Sequence, residues 1–453
     1  MSVFLRAPRG VRVIALRSVF SPLTLVAFLY LPLLLAYALA SPRVFVTEFD
    51  SRKTLSWSGF SFFALALALF AAGAWVGRAG PRPRFGRPPR PPTVELPSGA
   101  KRRSLAVLLE TALVISLAAY AVWFGLGIAR AGGPLELLDL WRRNPHVVKG
   151  DILATVPGVT TLTQLAVAAV PLALAYGLAR RGSVLRALVV VAFALAAVRS
   201  VLYSERLALL ELFVPALFLA AAPRRIAVPR VVVYALAFVA LAAGFFAATE
   251  LRRTYVYTHD FSVGRSTVRF LGYYLTSINN GMAVVDHYPA RTPLYSTGDF
   301  LWRFPGLRDL RVEHVPALGT VSFRYADSFG VDPEELWPVA FAQQDLDYEF
   351  NVFTAPGFLA ADFGWAALLA MLLLGLVSGR LYARSAESTF HRALYAMWLA
   401  GLFELMRILY FTSTRVFPAY LVFLGAWLVL RRRERTLPLP EPSGVRAATD
   451  PAG

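Results

Sequence analysis

Residues 57–77 read WSGFSFFALALALFAAGAWVG, without one charged side chain, and the next residue is Arg78. About 20 apolar residues make a helix as long as the hydrocarbon core of a bilayer is thick. The run gives way to a stretch that collects Arg78, Arg82, Arg84, Arg87, Arg90, Lys101, Arg102 and Arg103. An apolar span followed by a basic link is the building unit of a multi-pass membrane protein. Working outward, the unit recurs at 22–40, 105–128, 156–179, 184–202, 205–222, 230–249, 356–379, 393–412 and 416–430. The expected fold class is therefore all-α, a polytopic membrane protein with about ten transmembrane helices and one large extracytoplasmic loop containing an amphipathic helix. The fifth and sixth spans can also be read as one bent hairpin, because Arg199, Glu205 and Arg206 lie near their junction.

Composition agrees with this class. The 453-residue chain is 57% hydrophobic and 16% charged, with a mean hydropathy of +0.55. A water-soluble protein of this length has too little interior to bury so much apolar surface. The absence of cysteine excludes disulfides, thiolate nucleophiles and cysteine-based metal or iron–sulfur sites. The five histidines, at 146, 259, 287, 314 and 391, have no metal-ligand spacing, so no metal or cofactor is expected. A net charge of +18 points in a soluble protein to nucleic acid. Here it is assigned to basic loops facing anionic lipid, and no nucleic-acid partner is expected.

The basic groups also set the orientation. Arg6, Arg9, Arg12 and Arg17 precede the first span. Arg180 with Arg181, Arg224 with Arg225, Arg380 with Arg384, and Arg431, Arg432, Arg433 and Arg435 follow later ones. Counted through the spans, all fall on one side, which the positive-inside rule makes cytoplasmic, with both termini there. Ala38-Leu39-Ala40 resembles a signal-peptide cleavage site. The run before it is long for a signal peptide and another span follows, so an uncleaved first helix is expected. The chain divides into a first bundle half at 1–249 (about seven spans, with the basic linker 78–104), a loop at 250–350 facing outward, three last spans at 351–432, and a disordered tail at 433–453. No internal repeat of the kind found in inverted-repeat transporters is evident.

The outward loop holds most of the candidate chemistry. From Gly264 to Asp286, Val268, Leu271, Leu275, Ile278, Met282 and Val285 recur at helical spacing, and Arg265, Arg269, Thr276, Asn279, Asn280 and Asp286 gather on another face. Such a helix lies in the interface plane, or packs over the bundle with its polar face toward a cavity. Arg252 and Arg253, at the outer end of the seventh span, suit a phosphate-bearing lipid or simple snorkelling to the interface. Arg265 and Arg269 are candidates for an anionic headgroup. The loop closes with Asp345-Leu-Asp-Tyr-Glu349-Phe-Asn351-Val-Phe-Thr354-Ala-Pro-Gly and runs on to Asp362-Phe-Gly-Trp365. A carboxylate at Asp362, close to the start of a span, needs a partner or a task. It is read either as functional or as a helix N-terminal charge complementing the dipole. Further charges in apolar surroundings are Arg199, Glu205, Arg206, Glu211, Glu404, Arg407 and Arg415. Glu404 and Arg407 are spaced for an ion pair on one helix.

Asn351-Val-Phe-Thr354, Asp362-Phe-Gly-Trp365 and Leu374-Gly-Leu-Val-Ser-Gly-Arg-Leu-Tyr382 together resemble the late segment of bacterial O-antigen polymerases, also called oligosaccharide repeat-unit polymerases. Ser204-Glu-Arg206 resembles that family's mid-chain turn. The residue-level likeness covers 200–215, 250–285 and 349–382, and segment 289–340 has no counterpart. The resemblance implies glycosyl transfer at the outer face of the bacterial cytoplasmic membrane. Its substrate would be a polyprenyl-pyrophosphate-linked oligosaccharide, and its partners the bilayer, a flippase and a chain-length regulator. In that reading Arg206, Arg252, Arg253 and Arg265 hold the pyrophosphate, with Arg199 and Arg407 as second choices and Arg269 as a further substrate-binding residue. Asp362 or Glu349 serves as acceptor-side base, Asn351 and Thr354 orient sugar hydroxyls, and Asn279 is a further substrate-binding residue. An O-antigen ligase, which uses a loop histidine (His259, His287 or His314), and a lipid-linked oligosaccharide transporter are the competing readings. Since the chain has no cysteine, single cysteines can report its orientation. Those placed within 250–350 are expected to react with a membrane-impermeant maleimide from outside the cell, and those within 78–104 only after permeabilisation. The reverse pattern overturns the orientation.

Overall fold

The computed structural model describes residues 13–79, 99–144, 147–156, 158–180, 182–203, 205–227, 263–288, 297–298, 340–346 and 352–431. The expected seventh span at 230–249, most of the loop and the C-terminal tail lie outside them. The described chain is built from helices α1 (Pro22–Leu39), α2 (Pro42–Phe49), α3 (Trp57–Arg78), α4 (Gly99–Ala131), α5 (Pro134–Arg143), α6 (Val159–Ala175), α7 (Val184–Leu202), α8 (Arg206–Ala221), α9 (Val263–His287), α10 (Ala355–Phe363), α11 (Ala367–Arg384), α12 (Thr389–Phe403) and α13 (Phe417–Arg431). Among the described residues five stretches are long and apolar enough to cross a bilayer: α1, α3, α4, α7, and α10 taken with α11. Three more are apolar but shorter, in α6, α8 and α13. Their outward residues include Phe28, Leu39, Leu369 and Leu424, as fits a protein whose solvent is lipid. The chain is membrane-embedded.

The described chain is all-α as expected, with one short ribbon added. Strand β1 (Val13–Ala15) pairs antiparallel with β2 (Arg225–Ala227), Ile14 opposite Ile226. The backbone N–H of Leu16 adds a bond to the Arg224 carbonyl at 3.0 Å. This ribbon ties the segment before α1 to the link after α8 and marks one end of the bundle. The other end carries the described loop residues: Arg52 N donates to Asp345 O (2.9 Å), and Ala355 N to Leu405 O (3.0 Å).

Local chemistry explains the element boundaries. Ser21, Ser56, Ser183 and Thr354 each cap a helix by accepting from a backbone N–H in its first turn. In α1 a five-residue π turn, Val26–Tyr30, precedes Pro32, which cannot donate to the ladder. Arg199 and Glu205 flank a real break: α7 stops at Leu202 and α8 starts at Arg206, so the fifth and sixth spans are two helices. The apolar pattern predicts a ninth span reaching 412, yet α12 ends at Phe403 and 404–416 is a link of turns. The backbone leaves the helix where Glu404, Arg407 and Arg415 reach their partners. The predicted eighth span is divided at Gly364, whose φ of +58° and ψ of −134° suit glycine alone. Helices α2 and α5, short and one-sidedly apolar, were not anticipated.

Helix α9 matches the predicted amphipathic helix in extent, and of the two expected settings it takes the one packed on the bundle. It packs against α1, α2, α3 and α10, and Leu275 through Val285 are buried on every side. It therefore neither lies in the interface plane nor turns Thr276, Asn279 and Asn280 to water. Its glycines make the approach possible. A Cβ on Gly281 would sit 2.7 Å from both the Phe63 ring and Thr354 Oγ1, and one on Gly357 would sit 2.8 Å from Gly281 Cα.

The closest helix pair is α3 with α11. A Cβ on Gly73 would lie 2.1 Å from Leu372 O and one on Gly77 2.2 Å from Leu376 O. Reciprocally, Gly375 faces Phe70 O and Gly379 faces Ala74 O, both at 2.1 Å. Two glycine pairs at four-residue spacing thus let main chain rest on main chain, which in lipid is a main source of helix association. Packing gives Gly375 and Gly379 a physical role. Gly375→Ala is expected to separate the helices and cost at least about 1–3 kcal/mol. Gly125→Ala, where a new Cβ meets nothing within 4 Å, should leave stability unchanged or slightly raised. Thermal unfolding of the purified protein in detergent measures both, and equal midpoints for the two variants would refute the tight junction.

Candidate functional site at the loop end

Glu211 lies on α8, in an apolar run, and is 1% exposed. A carboxylate buried there needs donors, and the fold brings them from distant parts of the chain. Tyr410 Oη donates to Oε1 at 2.8 Å, and Arg415 binds both carboxylate oxygens, Nη2 reaching Oε2 at 2.7 Å. Both come from the link 404–416, which explains why that segment abandons the helix. Gln164 completes the set from α6. With its amide oriented to satisfy both neighbours, it donates to Glu211 Oε2 (3.1 Å) and accepts from Arg199 Nη1 (3.0 Å).

Arg199, in the last turn of α7, is 4% exposed. Its Nε donates to Glu205 Oε2 at 2.6 Å and its Nη1 to Thr163 Oγ1 at 3.0 Å. The guanidinium sits over Trp123, 4.9 Å from the ring centroid, with Tyr120 at 6.0 Å. Glu205 also pairs with Arg415, so Arg199, Glu205, Arg415 and Glu211 form one continuous chain of charges. At the far side of the link, Arg407 Nη1 donates to Glu404 Oε2 at 2.8 Å and its guanidinium lies 5.7 Å from the Tyr273 ring of α9. The expected Glu404–Arg407 pair thus forms, beyond the helix rather than on it. Three arginines and three carboxylates gather at the loop end, on α7, α8 and two short links. Among the described residues, Arg407 Nε, Thr412 Oγ1 and Ser413 Oγ are buried there without a hydrogen-bond partner.

The structure sorts the other candidates. Asn279 is committed to the fold: its Oδ1 accepts from Tyr37 Oη (2.9 Å) and Thr54 N (2.8 Å), and its Nδ2 donates to Arg52 O (2.8 Å). Thr354 is fully buried, and its hydroxyl caps α10 through Gly357 N at 3.1 Å. Thr354 was expected to orient sugar hydroxyls and Asn279 to bind substrate; in the structure each has a structural task. Asp362 sits in the last turn of α10, not the first, so it opposes the helix dipole. Its Oδ2 accepts from Thr297 N and Thr297 Oγ1, both at 2.6 Å, and this ties a loop turn to the bundle. Arg206 begins α8, and Arg265 and Arg269 lie in the first two turns of α9, but their side chains are outside the described residues, as are Glu349, Asn351, Arg252 and Arg253 entirely. Among the described residues no group of three or more His, Asp or Glu is arranged to hold a metal ion. Sequence reasoning missed Gln164, Thr163, Trp123 and Tyr410. Gln164 alone left a signal, an amide within an apolar run.

Removing one partner of a buried pair leaves the other charge uncompensated, a loss of about 3–5 kcal/mol. Glu211→Gln and Arg415→Gln are each expected to lower thermal stability in detergent by that order, and the double variant by less than their sum. Asp139→Asn, which breaks the exposed pair with Arg143, should change little. Strictly additive effects of the two buried substitutions would show that Glu211 and Arg415 do not act together.

Comparison with protein-family models, curated proteins and solved structures found no match to this chain, so its functional reading rests on the residues and their geometry.

Proposed function

We propose that this protein is a membrane glycosyltransferase that polymerises polyprenyl-pyrophosphate-linked oligosaccharide repeat units at the outer face of the bacterial cytoplasmic membrane. The observation that carries the reading is the arginine cluster at the loop end, with unused buried donors at Arg407, Thr412 and Ser413. Glycosyl transfer from such a carrier breaks a sugar–phosphate bond and leaves a lipid pyrophosphate. Cations held in place by fixed partners in a water-poor site stabilise that leaving group without reorganising. Guanidinium groups suit it because their planar forks match phosphate oxygens.

In this reading Arg199, Arg407 and Arg415 meet the pyrophosphate. Glu205, Glu211 and Glu404 keep the arginines oriented and balance their charge before substrate arrives. Arg206, Arg252, Arg253, Arg265 and Arg269 are assigned to the same anion as further cations. The acceptor hydroxyl needs a base, and Glu349 is the carboxylate assigned to it. Asp362 instead holds the loop turn at Thr297 against α10. Asn351 is left to orient sugar hydroxyls. Both termini then lie in the cytoplasm, together with the β1–β2 ribbon.

The test is reconstitution of the purified chain with a lipid-linked repeat unit. The expected product is a ladder of longer lipid-linked glycans. Arg407→Gln should reduce it on the order of 10²-fold while the protein remains monodisperse. Transfer to a non-polyprenyl acceptor identifies a ligase, and leaflet exchange without new bonds identifies a transporter; either outcome replaces the proposal.

A further inference from the structure

A second concentration of arginines lies at the opposite end of the bundle, beside the β1–β2 ribbon, and the glycosyl-transfer reading does not use it. Arg17 follows β1 by two residues. Its guanidinium stacks on the ring of Tyr382, 4.3 Å from the centroid, and Arg78, the last residue of α3, lies over the same ring at 5.6 Å. The Tyr382 ring is held edge-on to Tyr395 (5.4 Å), whose hydroxyl donates to Phe20 O at 2.6 Å. The aromatic platform is therefore fixed from three sides of the bundle. Arg17 Nη2 donates to the Tyr382 carbonyl and more weakly to Ala383 O (3.4 Å), closing the last turn of α11. Its Nε is buried and has no hydrogen-bond partner among the described residues.

Burial holds the Arg17 guanidinium below the usual arginine range; Tyr382 and Tyr395 act against that shift, while Arg392 and Arg78 add to it. Arg392, on α12, donates its Nε to Ser385 O at 3.1 Å. Arg380 is one α11 turn before Arg384, and its backbone N packs against Gly77, next to Arg78. Among the described residues none of Arg17, Arg78, Arg380 and Arg392 forms an ion pair. Glu387 lies on the nearby link, where it acts on His391. Arg78 and Arg380 are exposed, but Arg17 and Arg392 are half-buried, whereas at the loop end Arg199, Arg407 and Arg415 each face a carboxylate. Basic residues on a water-filled surface need no partner. A half-buried guanidinium with an unused donor and like-charged neighbours does, and an anion is the partner that satisfies both deficits.

We propose that Arg17 and Arg78, over the Tyr382 ring, together with Arg392, held at the nearby Ser385 carbonyl, bind a phosphate group. The position, at the end of apolar helices, favours the phosphodiester of an anionic lipid headgroup as its source over free phosphate. The site is independent of the glycosyl-transfer reading and stands or falls without it.

The full-length protein, delipidated in detergent, is mixed with phosphatidylglycerol, phosphatidylcholine, inorganic phosphate or chloride at matched ionic strength. Bound lipid is counted by native mass spectrometry and stability followed by thermal unfolding. Phosphatidylglycerol is expected to form retained adducts and raise the unfolding midpoint, while phosphatidylcholine does neither. Stabilisation by inorganic phosphate alone keeps the phosphate site and assigns it a soluble occupant. The Arg78→Gln/Arg392→Gln variant leaves the Arg17 bonds to α11 in place and should weaken phosphatidylglycerol binding roughly tenfold, the worth of one charge-assisted bond. Arg17→Lys, which keeps the charge but loses the fork, should weaken it less. Arg143→Gln, at an exposed i,i+4 pair, should bind as the parent protein does. The proposal is overturned if neither phosphatidylglycerol nor phosphate has an effect beyond its control, or if the Arg78→Gln/Arg392→Gln variant binds unchanged.

Discussion

The buried carboxylate of Glu211 governs how the loop end is assembled. In lipid there is no water to solvate it, so its partners must come from the chain itself. Tyr410 and Arg415 supply donors only if the segment after α12 gives up helical geometry, and Gln164 does so only if the start of α6 stands beside α8. The Arg199–Glu205 pair then spans the break between α7 and α8. Four stretches, remote in sequence, are located by the needs of a few buried polar groups. Irregular backbone inside the bundle is affordable here because it is surrounded by protein.

The two ends of the molecule solve different electrostatic problems. At the loop end, opposite charges meet and aromatic rings of Trp123, Tyr120 and Tyr273 cover the guanidinium faces. At the ribbon end, Arg17 and Arg78 share one tyrosine ring. A neutralised cluster suits a substrate that arrives with its own charge and must leave again. An unneutralised one suits an anion that stays.

Much of the architecture can be read from apolar run length alone. The spans at 57–77 and 184–202 and the amphipathic segment 264–286 match α3, α7 and α9 to within a few residues, because length and period are local properties. What local pattern does not carry is the depth at which a helix stops. The run 393–412 is apolar enough to continue, and α12 still ends at Phe403, since Glu404 and the residues after it answer to partners on other helices. Asp362 teaches the same lesson. Its place near the start of an apolar run suggests a helix N-terminus, while the φ of Gly364 makes it the end of one. Of the candidate site, Arg199 and Arg407 are legible as charges in apolar surroundings. Asn279 and Thr354 carry the right chemistry for sugar, but pairing across the fold consumes it.

The glycine junction of α3 and α11 has a genetic corollary. When two side chains clash across a helix interface, shortening the partner relieves the clash. Here the atoms opposite Gly73, Gly77, Gly375 and Gly379 are main-chain carbonyl oxygens, which every amino acid carries. No exchange on the facing helix can make room, so damage at these four positions has no local suppressor, and selection can only keep them as they are.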